Sequence, residues 1–380
     1  MKKSTNRKLN DDDVDEMFST EKKAENWLIS VIYGSRAKVY CPRCGCTDIN
    51  HKAKHPKMPF HCKGCRKFFS IRTETVMERS KIPLRKWAKM MYVMSTELRS
   101  RPSLKIMNKW GISKNAAWFM NHRIRKAYEN KVKKLGKLRG KVQVDETAIG
   151  GQVKYMSKKT KERFKERGGK TGFSGKEIII AAKDEHGNFK IGRIEDRSKE
   201  SLQKFVYENI EEGSTVMTDE APGYRNLVNM KHLSVNHSAK EYVKGEAHVN
   251  GIESFWSTLA HGIEGSFYAI SPKHTERYVN EFAGRQMDRG LPTIVMMERL
   301  ARAMVGVRLT YKELTADNGL DNFANPVKGS VWDAKRIRKN TVRDEKEALK
   351  RMGKPRFKPV DMPKITGQKL AEYLDDEIPF

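Results

Sequence analysis

Two pairs of cysteines near the N-terminus constrain this chain more than any other feature. Both pairs follow the CxxC pattern, and 17 residues separate them. Four thiolates at this spacing are typical of a structural zinc site, in which the ion fixes a segment too small to fold alone. A disulfide framework would need an even number of cysteines, and Cys46 makes an odd one. We therefore predict a zinc ribbon over residues 39–82. The predicted zinc ligands are Cys41, Cys44, Cys62 and Cys65.

The charge of the chain points to a polyanionic partner. Its 380 residues contain 76 Lys and Arg against 47 Asp and Glu, a formal charge of +29. Such an excess favours nucleic acid, with an anionic membrane surface as the competitor. No stretch is long enough to span a membrane, and Asp11 to Asp13 lie where a signal peptide would be apolar. We expect a cytoplasmic protein that binds double-stranded DNA and no membrane.

Residues 83–130 have the periodicity of helices. Apolar residues at helical spacing from Leu84 to Leu98 should face a core, and a second helical stretch breaks at Gly111–Ser113 before it resumes. This layout is typical of a helix-turn-helix, in which Asn and Arg side chains suit adenine and guanine edges. A helical hairpin with a solvated basic face is the alternative. The predicted DNA-binding residues are Lys114, Asn121, His122 and Arg125.

The periodicity changes to that of strands after a basic linker at residues 131–141. Three predicted strands, a helix and a further strand lead into later helices, which is typical of a mixed sheet covered by helices. We predict an α/β domain at residues 142–317, preceded by the zinc ribbon and the all-α module. Residues 1–38 form a polar segment, and residues 318–380 form a charged C-terminal extension.

Acidic residues stand at unusual places in this domain. Asp145 interrupts a central strand, which is unfavourable unless the acid is paired or bound to metal. Asp219 ends a later strand, and Asn250 and Glu253 share one edge of a helix. Taken singly, each acid is more often a turn or cap residue. Together they suit two Mg²⁺ or Mn²⁺ ions, which take oxygen ligands and can activate a nucleophile against a phosphodiester.

The ordered set of motifs resembles insertion-sequence transposases of the IS1595 group, also called ISXO2-like. The resemblance rests on the two N-terminal modules and on the stretches VQVDETAIGG, VMTDEAPGYRNL, VNHSAKEYV and HVNGIESFWSTL, and it covers roughly residues 41–314. It implies a ribonuclease-H-like catalytic domain and DDE chemistry. In that chemistry, hydrolysis frees 3′-hydroxyls at transposon ends, and these hydroxyls then attack target DNA.

The resemblance also implies roles for individual residues. Asp145 and Asp219 match the first two catalytic positions. Members of the family carry either Asn or Glu at the third catalytic position. This chain offers both, and we favour Glu253 because it is charged, with Asn250 as the contender. Members usually carry a Lys shortly after the Trp of this helix, in a region where this chain has His261.

Together these features predict a transposase that binds terminal inverted repeats and carries out metal-dependent cleavage and strand transfer. It would use two Mg²⁺ or Mn²⁺ ions and a structural Zn²⁺, within a homo-oligomer that brings two DNA ends together. The alternative is a zinc-ribbon and helix-turn-helix regulator whose transposase domain has decayed. A third interpretation is a nuclease for branched DNA, which would not need a sequence-reading helix.

Overall fold

The computed structural model describes residues 9–150, 158, 162, 176–219, 221–235, 250–267 and 270–316. The predicted extension at 318–380 and most of the VNHSAKEYV stretch lie outside them. The helices are α1 (Asp11–Met17), α2 (Glu21–Tyr33), α3 (Leu84–Thr96), α4 (Ser103–Trp110), α5 (Lys114–Lys134), α6 (Lys199–Asn209), α7 (Asn250–Gly262), α8 (Thr275–Gln286), α9 (Thr293–Ala303) and α10 (Tyr311–Thr315). The strands are β1 (Ile49–Asn50), β2 (Phe60–Cys62), β3 (Phe68–Phe69), β4 (Lys141–Ile149), β5 (Glu177–Asp184), β6 (Phe189–Ile194), β7 (Thr215–Asp219) and β8 (Lys231–Val235).

A mixed sheet of five strands, in the order β6-β5-β4-β7-β8, organises the second half of the described chain. β4, β5 and β6 pair antiparallel, whereas β7 and β8 run parallel to β4. Helices flank the sheet, as the strand and helix pattern predicts. This strand order and these directions are consistent with a ribonuclease-H-like domain.

The two faces of the sheet pack against different helices. Val142 and Val144 of β4 share a core with residues of α6, whereas alternate residues of β5, such as Ile179, share a second core with α7 and α8. Because side chains alternate along a strand, Gln143 and Asp145 lie on the α7 face. The alternation predicted for this strand is confirmed.

The zinc-ribbon segment shares one hydrophobic core with the helices around it. Its three short strands form an antiparallel sheet in the order β1-β2-β3. Phe60 and Phe69 of that sheet belong to the same buried cluster as residues of α2, α3, α5 and α9. The segment is therefore supported by packing as well as by its cysteines. Among the described helices, none is long and apolar enough to cross a membrane.

Helices α4 and α5 are joined by the predicted short turn. Gly111 ends α4 in the left-handed conformation, and the Ser113 side chain accepts a hydrogen bond from the Ala116 N–H to cap α5. α5 then continues to Lys134, into the stretch expected to be a linker. The prediction that Leu98 faces the core is wrong. Leu98 is 81% exposed because α3 ends at Thr96.

Candidate active site and zinc site

The four predicted zinc ligands converge at one point. The Sγ atoms of Cys41 and Cys65 are 3.7 Å apart, and those of Cys44 and Cys62 are 3.5 Å apart. All four sulfur atoms lie within 4.8 Å of one another. Four thiols at such separations fit a tetrahedral Zn²⁺ that has no open position for a substrate.

Local backbone geometry builds each half of this cluster. Gly45 adopts a left-handed conformation with a φ of 70°, and its N–H donates to the Cys41 carbonyl. In the second pair, the Cys65 N–H donates to the Cys62 sulfur. Burial raises the pKa of the Cys41 thiol to about 12. At Cys62 burial also raises the pKa, but the Cys65 N–H and the neighbouring thiols outweigh it and bring the value down to about 7. Such a thiol is readily deprotonated for metal binding.

Two of the predicted catalytic acids lie near the ends of neighbouring strands. β4 pairs parallel with β7 from Lys141 with Thr215 to Gln143 with Met217. Asp145 and Asp219 each stand two residues beyond the last of these pairs, so the same offset, if continued, aligns them. Asp219 is also close enough to raise the pKa of Asp145 through its charge.

The pKa of Asp145 reports the proximity of these acids. Burial raises this pKa to about 7, and the negative charges of Glu146 and Asp219 add to the rise. The Glu146 N–H donates to Asp145 Oδ1 at 2.8 Å, and with the Trp256 indole it partly offsets the shift. A half-buried carboxylate beside other carboxylates is an environment that a divalent cation stabilises, so the donor set fits Mg²⁺ or Mn²⁺.

The first turn of α7 is fixed to the same face of the sheet. The Ile252 N–H donates a 2.9 Å hydrogen bond to Gln143 Oε1, two residues before Asp145 on β4. Lys183 of β5 donates to the Gly251 carbonyl at 3.4 Å. A Cβ at Gly251 would lie 2.7 Å from Gln143 Oε1, so a larger residue there would displace the end of the Gln143 side chain that accepts the hydrogen bond from Ile252.

The remaining two predicted catalytic residues lie on this turn. Asn250 begins α7, Glu253 follows in its first turn, and both are exposed. The ligand atoms of the four cysteines all lie within 4.8 Å of one another. Among the residues that the structure describes, no other three His, Cys, Asp or Glu side chains come together in this way. Asp145, Asp219 and Glu253 do not form such a group.

Sequence reasoning missed the role of Glu146. This buried side chain lies on the opposite face of β4 from Asp145, where it accepts a 2.6 Å hydrogen bond from the Tyr224 hydroxyl. Arg197 Nη2 lies 2.5 Å from its other oxygen. Tyr224 follows Asp219 by five residues, so the contact ties the end of β4 to the turn after β7. The alternation of the strand could have shown that Glu146 faces inward, but not its partners.

The predicted DNA-binding residues are not gathered on an exposed face. Lys114 is exposed, whereas Asn121, His122 and Arg125 are buried. Arg125 Nε donates to Glu281 Oε2 of α8 at 2.8 Å. Packing of α5 against α4 and α8 therefore occupies the side of α5 that was expected to meet DNA, and base contact by these three side chains is not available in this arrangement.

His122 and Asn121 illustrate this packing. The His122 ring lies 4.5 Å from that of His274, which precedes α8, and Asn121 Nδ2 donates to the Arg101 carbonyl at 3.1 Å. Burial, followed by the charge of Arg125, lowers the pKa of His122 well below its usual value. The imidazole is therefore neutral at physiological pH, unlike a side chain that binds phosphate.

Comparison with known proteins places these features in a family context. Residues 137–286 match the ISXO2-like transposase domain. The chain is also 26% identical over 278 residues to a protein from Halobacterium salinarum named "Uncharacterized protein in transposable element ISH50". That match covers 71% of this chain and 92% of the relative. The matched domain begins before β4, ends with α8, and contains every predicted catalytic residue.

Proposed function

We propose, from the premise that residues 137–286 belong to the ISXO2-like transposase domain family, that this protein cleaves and joins DNA strands at the ends of an insertion sequence. The observation that carries the proposal is the parallel pairing of β4 with β7, whose offset aligns Asp145 with Asp219, with the first turn of α7 hydrogen-bonded to β4. A transposase role is supported by the family and by the relative from a transposable element.

The acidic residues would hold two Mg²⁺ or Mn²⁺ ions. Asp145, Asp219 and Glu253 are the proposed ligands, and Asn250 is the contender for the third position. Glu253 is favoured because its charge complements the cation, and carboxylates are stabilised in the first turn of a helix. When bound, such ions activate a water or a 3′-hydroxyl and neutralise charge on the leaving oxygen.

Residues behind the acids would hold them in register. Gln143 fixes the N-terminus of α7 to β4, so that Asn250 and Glu253 stay on the Asp145 face. Glu146, through Tyr224, fixes the end of β4 to the turn that follows Asp219. Trp256 packs against the apolar cluster beneath α7 and, together with Phe255, shields that side of the site from water.

The N-terminal modules would bind the DNA ends. The zinc ribbon and the α4–α5 pair precede the catalytic domain, and the formal charge of +29 supplies attraction to phosphate along the chain. We propose that these modules recognise terminal inverted repeats and that a homo-oligomer holds two ends together. The oligomer follows from the reaction, which joins both ends in concert.

Cleavage of the bordering DNA tests the proposal. Purified full-length protein would be incubated with a fragment carrying the borders of its own gene and Mg²⁺ or Mn²⁺, and nicks would be mapped to the nucleotide. We expect 3′-hydroxyl ends at the borders from the parent, and none from Asp145→Ala. The control Glu208→Gln removes an exposed acid of α6 and should cleave as the parent does. Cleavage that persists in Asp145→Ala would reject the proposed site.

The same assay separates the two candidates for the third position. Glu253→Gln should lower the cleavage rate by more than about a hundredfold, since even indirect metal partners cost about 10- to 100-fold. Asn250→Ala should lower it far less. The opposite order would assign the third position to Asn250.

A regulator is the second candidate. It is favoured by His261, which is exposed on α7 in a region where the resembled family usually carries Lys. Specific binding to the borders without cleavage in either metal ion would favour this alternative.

A further inference from the structure

A cavity of about 440 Å³ opens on the surface of the zinc ribbon, outside the acidic site. It is open to solvent over most of its extent, so it can cover one face of a ligand but cannot enclose it. Three of its lining residues are cationic and none is acidic. The lining residues are Arg43, His55, Met58, Arg66, Lys67 and Phe68.

Phe68 gives this cavity an aromatic wall that the fold does not require. It is 39% exposed on β3, whereas the next residue, Phe69, is fully buried and stacks on Phe60. The core therefore uses Phe69 and leaves Phe68 facing outward. The rings of His61 and His55 lie 4.7 Å and 5.2 Å from the Phe68 ring at interplanar angles of 54° and 35°, so neither lies flat against it.

The polar groups of the cavity are held by contacts to the backbone. His55 Nδ1 accepts from the N–H groups of Lys57 and Met58 at 3.1 Å and 3.0 Å, so the neutral ring carries its proton on Nε2 as a donor. Arg43 Nη1 donates to the Phe68 carbonyl at 3.0 Å, which fixes the guanidinium beside β3. Both side chains are pre-organised for a ligand.

Arg66 and Lys67 connect this cavity to the zinc site. They follow Cys65 directly, and Arg66 adopts a left-handed conformation with a φ of 56°. The Cys62 N–H donates to the Lys67 carbonyl, which closes the turn between β2 and β3. The turn that presents these two cations is therefore the turn that carries two of the four clustered cysteines.

We propose that this cavity binds one unpaired DNA base, stacked on Phe68, while Arg43, Arg66 and Lys67 hold the adjoining phosphates. An aromatic platform within a basic groove is the arrangement that proteins use for single-stranded nucleic acid. The choice of DNA as the ligand rests on the proposed function. An acidic peptide would satisfy the cations but would have no use for the aromatic wall.

Abasic oligonucleotides test the stacking directly. Full-length protein without added Mg²⁺ would be titrated with two fluorescent single strands of equal length and charge, one normal and one abasic throughout. We expect the parent to bind the normal strand about tenfold more tightly, the size expected for one stacked base. Phe68→Ala should abolish this preference, whereas Phe68→Trp should keep it. Tyr311→Ala removes another exposed aromatic side chain, at 52% exposure, and should also keep it.

The cations should act on both strands alike. The double variant Arg66→Gln, Lys67→Gln should weaken binding of both oligonucleotides equally, and it should reduce the salt slope by roughly 0.7 for each phosphate that is no longer neutralised. The zinc content of every variant should equal that of the parent, which shows that the ribbon remains folded.

Three results would overturn the proposal. Equal affinity of the parent for both strands would leave only phosphate binding, and a preference that survives Phe68→Ala would place the base elsewhere. Competition by a polyglutamate peptide as strong as that by DNA would assign the cavity to an acidic protein. A Phe68-dependent preference without border cleavage would reject the proposed transposase reaction and leave the base site standing. Border cleavage without a preference for the normal strand would reject the base site and leave the transposase reaction standing.

Discussion

The zinc ribbon and the acidic face reach their sites by different routes. All four clustered cysteines lie within residues 41–65, and two tight turns are enough to bring their sulfur atoms within 4.8 Å. The predicted catalytic acids instead come from β4, β7 and α7, which are brought together by strand pairing, by the Ile252–Gln143 hydrogen bond and by apolar packing of α7 against the sheet. A site built from local turns depends on its ligands, whereas a site built across a sheet depends on the residues behind them.

The two sites also differ in the charge of their ligands before a metal ion binds. Neutral thiols can approach one another before a metal binds, whereas ionised carboxylates repel until a cation is present. Burial raises the pKa of Asp145 to about 7, with Glu146 and Asp219 contributing, which is the cost of placing this acid inside the sheet. We therefore expect the two regions to respond differently to metal removal and to substitutions around them.

Loss of a zinc ligand should have the largest effect. Structural zinc contributes on the order of 10–16 kcal/mol in small domains, so Cys62→Ser should remove the ion and unfold β1 to β3. Hydrogen exchange should then speed up across residues 41–69 while β4 to β8 keep their protection. Cys46→Ser is the matched control, because Cys46 lies outside the cluster, and it should retain zinc. Equal zinc loss in both variants would contradict the assignment of the ligands.

The next effect concerns α5, which packs into the core around the ribbon and, through Val132, into the core beneath the sheet. Arg125 and Glu281 form an ion pair that is almost fully buried. Arg125→Ala leaves buried Glu281 with Arg285 as its partner, so we expect a loss of about 3 kcal/mol in the free energy of unfolding, the lower end for a broken buried pair, measured by urea denaturation. Unchanged stability together with weaker DNA binding would instead restore Arg125 to a DNA-facing role.

A smaller effect should follow from separating α7 from the sheet. Gln143→Met removes the acceptor for the Ile252 N–H and leaves that donor buried, which costs about 1–3 kcal/mol. Because Asn250 and Glu253 then lose their alignment, border cleavage should fall by about tenfold or more. Asn209→Ala removes a local hydrogen bond within α6 and should leave cleavage unchanged. Normal cleavage by Gln143→Met would show that α7 needs no such anchor.

The smallest effect should be that of Lys114→Gln. Lys114 is the exposed member of the predicted DNA-binding set, so its loss should weaken duplex binding only a few-fold and reduce the salt slope by roughly 0.9. The midpoint of denaturation should not move, in contrast to Arg125→Ala. A salt slope identical to that of the parent would exclude a phosphate contact at this position.

These regions also differ in how far the sequence predicts them. Cysteine spacing alone identifies the cluster, because its geometry is local. Alternation identifies β4 and places Asp145 on one of its faces, and the strands and helix that follow are confirmed. The adjacency of Asp145 and Asp219 could not be derived, because it depends on a parallel register set by residues far apart in the chain.

The DNA-binding face predicted for α5 could not be derived correctly from the sequence. Asn121, His122 and Arg125 have the chemistry of base-reading side chains, yet all three are buried. Asn121 contacts the start of α4, whereas His122 and Arg125 contact α8, which lies more than a hundred residues later. Helical periodicity separates one face of a helix from another but does not indicate which later element covers a polar face. Buried Arg125 is stabilised there by Glu281, a partner that only the tertiary structure shows.

The most direct test of the central claim, that Asp145, Asp219 and the first turn of α7 hold catalytic metal ions, is a Mn²⁺ titration of the zinc-loaded full-length protein followed by electron paramagnetic resonance. The parent and Glu208→Gln should bind two Mn²⁺ ions, and the double variant Asp145→Asn, Asp219→Asn should bind neither. Equal Mn²⁺ binding by the parent and the double variant would contradict the claim.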